Sequence, residues 1–391
     1  FSAVLAKSMQ VVASSKCPDF GSPGEAGQAA TPSIRDPSTP NVLLLVVDDL
    51  RFDGPFVADA PHLESLMTGQ GLGDQASTHH HFHNAYAAWP VCGPSRSAFM
   101  FGMRASATGA TANPLCDRSS FPPNLADAKT IAETFRDAGR VTAAVGKIFH
   151  GFTFMDQNGL DYDARVNGFA DCPSMDRLWC QRSWRWSPPE ADDLIAENAA
   201  AVMAALDKRG GAFFLGVGFH KPHLLWQVRP DAWGRNSGVA SGVQAGMRVP
   251  PALAPGYLTK KCAPSVGGKT PDGFDYFPAG SCDGAGFKEE GKVQELRRVY
   301  MSAVTHTDDA VGRVLEAAKK YVWWDNTIVV TTSDHGFALG ENGPCLYTAP
   351  SSYVLLFFRF LSLSVSQGFS RAPFGYPCHL FSFFLIFQRP P

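Results

Sequence analysis

Cys92-Gly93-Pro94-Ser95-Arg96 places a sulfur atom, a preset turn and a positive charge within one short stretch of chain. Pro94 has no N–H and a fixed φ, which suits the first turn of a helix, so the spacing predicts a helix opening at Cys92. The mouth of such a helix offers backbone N–H groups and the positive end of its dipole, a fitting seat for sulfate or phosphate. Residues i and i+4 share a helix face, so the Arg96 guanidinium is expected to point back at Cys92. The alternative is a buried cysteine beside a helix cap, because free cysteine is among the most buried residue types.

Four other segments carry chemistry, and each follows an apolar run. Asp48-Asp49 follows NVLLLVV, Lys147 and His150 follow VTAAV, His220-Lys221-Pro222-His223 follows FFLGVGF, and Asp334-His335-Gly336 follows TIVVTTS. Asp48, Asp49 and Asp334 make an oxygen-rich set suited to a hard divalent cation, Ca²⁺ or alternatively Mg²⁺. A solvated turn is the other reading of Asp48-Asp49. The apolar run entering directly on two acids favours the metal, since unpaired buried carboxylates are costly. His335 is open between metal ligand and donor to a bound anion. Lys147 and His150 read either as surface loop residues or as the positive charge and proton donor that transfer of an anionic group requires. His220, Lys221 and His223 share that ambiguity, with Pro222 stiffening their turn. The run His79-His80-His81 with His83 reads as surface loop, because consecutive histidines fan out rather than converge.

The elements that must position these residues are legible from patterning. Val42–Val47, Val141–Val145, Phe213–Phe219 and Thr327–Thr332 are continuously apolar, as strands buried on both faces of a parallel sheet are. Helical patterns run over Leu125–Ala138, Asp192–Lys208 and Val293–Tyr321 between them. Alternating strands and helices predict a doubly wound α/β fold, its sheet mostly parallel with helices on both faces. In such sheets ligands bind at the carboxyl ends of the strands, where all four polar segments lie. Residues 1–40 read as a low-order N-terminal tail, 41–343 as one catalytic domain, and about 227–290 as an irregular excursion. Residues 344–391 turn abruptly rich in phenylalanine and read as an atypical apolar tail rather than a folded domain.

Composition narrows the partners. The 391 residues carry a net charge of −2, which gives no basic field for nucleic acid. No stretch reaches the roughly 18 apolar residues of a membrane span, so no firm membrane association is expected. Nine cysteines is an odd number. Cys172 with Cys180, and more weakly Cys262 with Cys282, are disulfide candidates that would suit an oxidising compartment. The chain opens on Phe1, which reads as a fragment or a processed end, and it contains no N-x-S/T sequon.

The pentapeptide resembles the sulfatase signature C-x-P-S-R, and the wider chain resembles the iduronate-2-sulfatase branch of that family. The matching segments are LLLVVDDLR at 43–51, VCGPSR from 91, VGKIFHG at 145–151, FFLGVGFHKPH at 213–223 and TSDHGFALGENG at 332–343. Asp-His rather than Asp-Asn in the last segment points to this branch. The resemblance implies an alkaline-phosphatase-like core and conversion of Cys92 to formylglycine by a formylglycine-generating enzyme. It further implies Ca²⁺ held by Asp48, Asp49, Cys92, Asp334 and His335, with Arg96, Lys147, His150 and His223 steadying the formylglycine and the sulfate. The implied substrates are sulfated sugars or glycosaminoglycan-type polysaccharides, and the implied location is the secretory pathway, lysosomal or extracellular.

The resemblance also implies a lysine a few residues beyond Gly-Glu-x-Gly and a smaller C-terminal subdomain. Pro344-Cys345-Leu346-Tyr347 stands there, and no lysine follows Lys320. The C-terminal part of the pocket is therefore expected to be missing and turnover impaired. Two further readings stay open: a phosphatase or phosphonate hydrolase of the same superfamily, and a truncated, inactive homologue that binds calcium or sulfated glycan.

Overall fold

All four continuous apolar runs become strands in the computed structural model, which describes residues 39–69, 78–82, 85–111, 127–150, 164–166, 191–223, 226–239, 290–337 and 356–360. They are β1 (Asn41–Val47), β3 (Val141–Gly146), β5 (Phe213–Phe219) and β6 (Thr327–Ser333). With β2 (Thr78–His81), β4 (Ala164–Val166) and β7 (Leu356–Phe360) they form a seven-stranded sheet of order β2-β7-β6-β1-β5-β3-β4. Strands β1, β3, β4, β5 and β6 run parallel, with Val42 opposite Phe214 on one side and Ile328 on the other. Strand β7 is antiparallel to β6, and β2 is antiparallel to β7.

The lack of alternation in β1 has a direct cause, since both of its faces are covered. Leu43, Leu45 and Val47 pack in a core shared with Ile195, Val202, Val304 and Val311. Val42, Leu44 and Val46 pack in a second core with Phe99, Phe135 and Phe214. Each fully buried side chain of this kind contributes roughly 1.5–3 kcal/mol. The helices are α1 (Gly54–Val57), α2 (Pro61–Thr68), α3 (Cys92–Phe101), α4 (Ala105–Thr108), α5 (Ile131–Asp137), α6 (Ala191–Arg209), α7 (Pro230–Arg235) and α8 (Glu290–Ala318). Helices α6 and α8 supply the first core and α3 and α5 the second, which makes the doubly wound sandwich. Among the described residues, no helix is long and apolar enough to cross a membrane.

Several expectations need correcting. The helix expected from Leu125 begins only at Ile131, because Thr130 and Glu133 form a reciprocal cap: Glu133 N donates to Thr130 Oγ1 at 3.1 Å and Thr130 N to Glu133 Oε2 at 2.7 Å. The histidine run is a strand rather than a loop, since Thr78–His81 pairs with β7 through the backbone, a contact that side-chain type does not announce. Within the segment after Gly343, the described residues form one strand. Leu356–Phe360 inserts between β2 and β6, although Arg359 interrupts its apolar run. Cys172, Cys180, Cys262, Cys282, His83 and Pro344–Tyr347 lie outside the described residues.

Candidate active site

Strand β1 is the middle strand, and the chain places β5 and β3 to one side of it and β6 to the other. Its carboxyl end is therefore the point where crossovers part, the expected crevice of an open α/β sheet. Asp48 and Asp49 sit there, both fully buried, with Asp334 and His335 arriving from β6 beside them. Asp49 takes a left-handed backbone, φ 62°, a costly conformation for a residue with a side chain. Two bonds hold it: Asp49 N donates to Asp334 Oδ1 at 3.0 Å, and the Tyr300 hydroxyl donates to Asp49 O at 2.7 Å.

The two adjacent acids respond oppositely to one environment. Burial alone would raise Asp48, but the charges of Lys147 and Arg96 hold it well below its ordinary value. Lys147 Nζ is bonded to Asp48 Oδ2, and Arg96 Nη2 lies 3.0 Å from Asp48 Oδ1. Asp49 has chiefly His335 Nδ1, 3.4 Å from its Oδ1, to oppose burial, and burial with the charges of Asp48 and Asp334 pushes its carboxyl up to about 8. Its Oδ2 is buried without a hydrogen-bond partner. An oxygen left in that state is what a bound cation would satisfy, and the donor atoms of Asp49, Cys92 and His335 lie within 4.8 Å of one another, as do those of Asp48, Cys92 and Asp334. The residues present thus fit a hard divalent ion.

Helix α3 opens at Cys92 as the sequence predicts, with Pro94 in its first turn and no side chain capping its N-terminus. It ends at Gly102, which takes φ 64°. Cys92 Sγ lies 3.2 Å from His335 Nε2 and 4.0 Å from Asp49 Oδ1. His335 Nδ1 faces the Gly336 carbonyl at 2.8 Å, an acceptor, so Nδ1 carries the proton and Nε2 is turned to the sulfur. Burial lowers the pKa of His335, but Asp334 and Asp49 outweigh it and the net shift is upward. Burial and the charge of Asp48 push the Cys92 thiol well up.

The Arg96 guanidinium corrects one expectation. It is spent on the acids and on carbonyls rather than on the cysteine, with Nε donating to Asp334 Oδ2 at 2.9 Å, Nη2 to Asp48 and Nη1 to the carbonyls of Lys147 and Ile148. Its planar fork reaches four acceptors on three strand ends, a task an ammonium cannot perform. Burial depresses Arg96, yet Asp334 and Asp48 raise it further, so it stays charged.

Lys147 reaches the cluster because β3 and β5 come unusually close at their ends. Lys147 N donates to Gly218 O at 2.8 Å, and a Cβ on Gly218 would lie 1.8 Å from Lys147 O. The His220–His223 turn leaves β5 at the same edge, its two rings 4.7 Å apart and their ligand atoms within 4.8 Å of Asp48. Burial, with Lys147 and Arg96 close by, drops His150 to about 2, so its imidazole is neutral at ordinary pH.

The nine residues that the resemblance implies, Asp48, Asp49, Cys92, Arg96, Lys147, His150, His223, Asp334 and His335, therefore lie together at the carboxyl ends of β1, β3, β5 and β6. Sequence reasoning missed Tyr300, and it missed Ser95, whose hydroxyl bonds the Asp334 carbonyl from within the pentapeptide itself. Tyr300 left no signal beyond its place on an apolar helix stripe.

Fold and site together define an α/β protein with an acid-rich, cation-braced site at the switch point of its sheet. The chain belongs to the sulfatase family, whose model matches residues 40–354, and with it to the alkaline-phosphatase-like superfamily. It is 29% identical over 326 residues to a sulfatase of Formosa agariphila, covering 78% of this chain and 60% of that one. It is 27% identical over 345 residues to the iduronate 2-sulfatase of Mus musculus, covering 81% of this chain and 57% of the relative. The chain thus spans about 60% of the length of these curated relatives. Among solved structures, the phosphonate monoester hydrolase of Agrobacterium radiobacter superposes with TM-score 0.54 at 19% identity, covering 82% of this chain and 68% of that one, a likeness of fold.

Proposed function

We propose that the protein hydrolyses sulfate esters of sulfated sugars, in the manner of iduronate 2-sulfatase, with Cys92 converted to formylglycine. The observation that carries the reading is the placement of Cys92 at the uncapped mouth of α3, 3.2 Å from His335 and beside a buried acid cluster braced by Arg96. The family match and the likeness to sulfatases in sequence support it. Asp48, Asp49, Asp334, His335 and residue 92 would hold Ca²⁺, whose charge would favour an anionic nucleophile and an anionic substrate group. Formylglycine supplies the nucleophilic oxygen when hydrated.

This chain's own residues do the rest. Arg96 fixes the spacing of Asp48 and Asp334 and neutralises part of their charge. Lys147 brings an ammonium to the edge where the sulfonyl oxygens gather charge. One of the histidines gives a proton to the departing sugar oxygen, and His150 helps the residue at position 92 collapse back to the aldehyde, the released proton passing to solvent. Overall, water adds across the ester: sulfur gains the hydrolytic oxygen, its bond to the sugar oxygen breaks, and that oxygen leaves protonated.

The test is co-expression with a formylglycine-generating enzyme, followed by mass analysis of the Cys92 peptide and parallel assay of sulfate and phosphonate esters. Conversion of the thiol to an aldehyde, and sulfate release that Cys92→Ala abolishes, are the expected results. A thiol that stays unmodified sinks the formylglycine mechanism. Faster turnover of the phosphonate ester would reassign the substrate, and no turnover of either ester by the matured, calcium-loaded chain would remove the activity.

A further inference from the structure

We propose that Asp192 and Thr307 are positioning residues that aim the His220–His223 turn at Asp48. The proposal rests on the sulfate-ester reading for its catalytic meaning, though not for its geometry. Asp192 lies in the first turn of α6 and is fully buried. An acid there ordinarily serves its own helix, by capping or through the dipole. Its carboxylate instead accepts from another segment: from His220 N at 2.7 Å on Oδ1 and from Lys221 N at 3.0 Å on Oδ2.

Thr307, fully buried on α8, completes the clamp. Its hydroxyl lies 2.7 Å from Asp192 Oδ2 and 2.8 Å from the Lys221 carbonyl, two acceptors that share its one proton, so it sits between the acid and the turn the acid grips. The turn is closed on itself by His223 N donating to His220 O at 3.0 Å, and it is anchored beyond by Trp226 Nε1 on the Pro222 carbonyl at 2.5 Å. Nothing in this set belongs to the acid cluster, yet it fixes the backbone from which both imidazoles project. Burying a carboxylate is expensive unless its oxygens are bonded, and here both oxygens are bonded to the turn or to its clamp. Outer partners that orient working side chains typically matter by about 10–100-fold when lost.

The test uses the full chain with histidine labelled at ¹³Cε1. Thr307→Val keeps the shape of the side chain and removes the hydroxyl, Thr307→Ser keeps the hydroxyl, and Asp192→Asn removes the charge. The Cε1–H signals of His220 and His223 should move in Thr307→Val and Asp192→Asn, return in Thr307→Ser, and leave the His80 signal on β2 in place. Affinity for inorganic sulfate, measured by calorimetry, should fall about tenfold in Thr307→Val. Unmoved His220 and His223 signals in a folded Thr307→Val, or equal disturbance in Thr307→Ser, would overturn the proposal. If Asp192→Asn fails to fold, the Thr307 pair alone decides. If the signals move as expected in the variants but the parent itself binds no sulfate, the clamp stands and the result counts against the sulfate-ester reading alone.

Discussion

The Tyr300 hydroxyl donates to the backbone carbonyl of Asp49 at 2.7 Å and accepts from the N–H of Arg51 at 2.9 Å. It thereby spans the one positive-φ non-glycine residue among those described. Tyr300→Phe keeps the ring stacked on Phe337, 5.6 Å between centroids, and removes only the bridge. Leaving a buried carbonyl and N–H unpaired should destabilise the protein by about 1–3 kcal/mol. Asp49 should also lose its fixed aim, lowering calcium affinity roughly tenfold. Chemical denaturation and calcium calorimetry check the two parts, and an unchanged affinity would show that Asp334 alone holds Asp49 in place.

Gly218 decides whether Lys147 can reach the site. A Cβ there would lie 1.8 Å from Lys147 O and 2.2 Å from Lys147 C, backbone atoms that cannot swing aside. Gly218→Ala should therefore force β3 and β5 apart at their carboxyl ends and destabilise by about 3 kcal/mol or more. Gly102→Ala is the control. Its backbone is left-handed at φ 64° but nothing lies within 4 Å of the added carbon, so only the conformational cost of about 1–2 kcal/mol applies. Equal unfolding midpoints for the two variants would contradict the close-approach argument.

The strands and the site were legible in the sequence for the same physical reason. A central parallel strand is apolar on both faces and turns polar only where it leaves the sheet, so NVLLLVV running into Asp48-Asp49 announces both a strand and its functional end. Cys92 and Arg96 were legible because a helix fixes their spacing, but Arg96's partners were not. Asp48 and Asp334 are 48 and 238 residues away in the chain, and only the strand order brings them to one guanidinium. Strand β2 was hidden because its pairing is through backbone groups, which a histidine run does not advertise. Tyr300, Asp192 and Thr307 act through single polar atoms on otherwise ordinary helices, and one atom leaves no periodic trace.

Asp308 should give stability a pH dependence of unusual sign. It accepts from the N–H groups of Leu63 at 2.6 Å and His62 at 3.2 Å at the start of α2, yet burial pushes its carboxyl up to about 7. An acid with a raised folded-state pKa binds its proton more tightly when folded than when unfolded. Between about 4 and about 7 the unfolded chain has released that proton and the folded one has not, so this group's contribution falls as pH rises through that window. Asp308→Asn cannot ionise and should remove that slope. Denaturation at pH 5 and at pH 7 should show the variant gaining on the parent at the higher pH, and parallel pH profiles would refute the assignment.

Arg96 should be the residue whose loss is felt most, and its effect should be coupled to Asp48. The guanidinium is fully buried, and it faces two fully buried carboxylates at 3.0 and 2.9 Å. Arg96→Met keeps the bulk and strands those acids without their partner, for which about 3–5 kcal/mol is the usual penalty. Arg96→Lys should recover only part of that, since one ammonium cannot meet Asp48, Asp334 and the carbonyls of Lys147 and Ile148 together. In an Asp48→Asn background one of the stranded charges is already gone, so Arg96→Met should cost less there than in the parent, by roughly 0.5–3 kcal/mol. Strictly additive losses in this double-mutant cycle would mean that Arg96 stabilises the site through packing and carbonyl contacts rather than by neutralising Asp48.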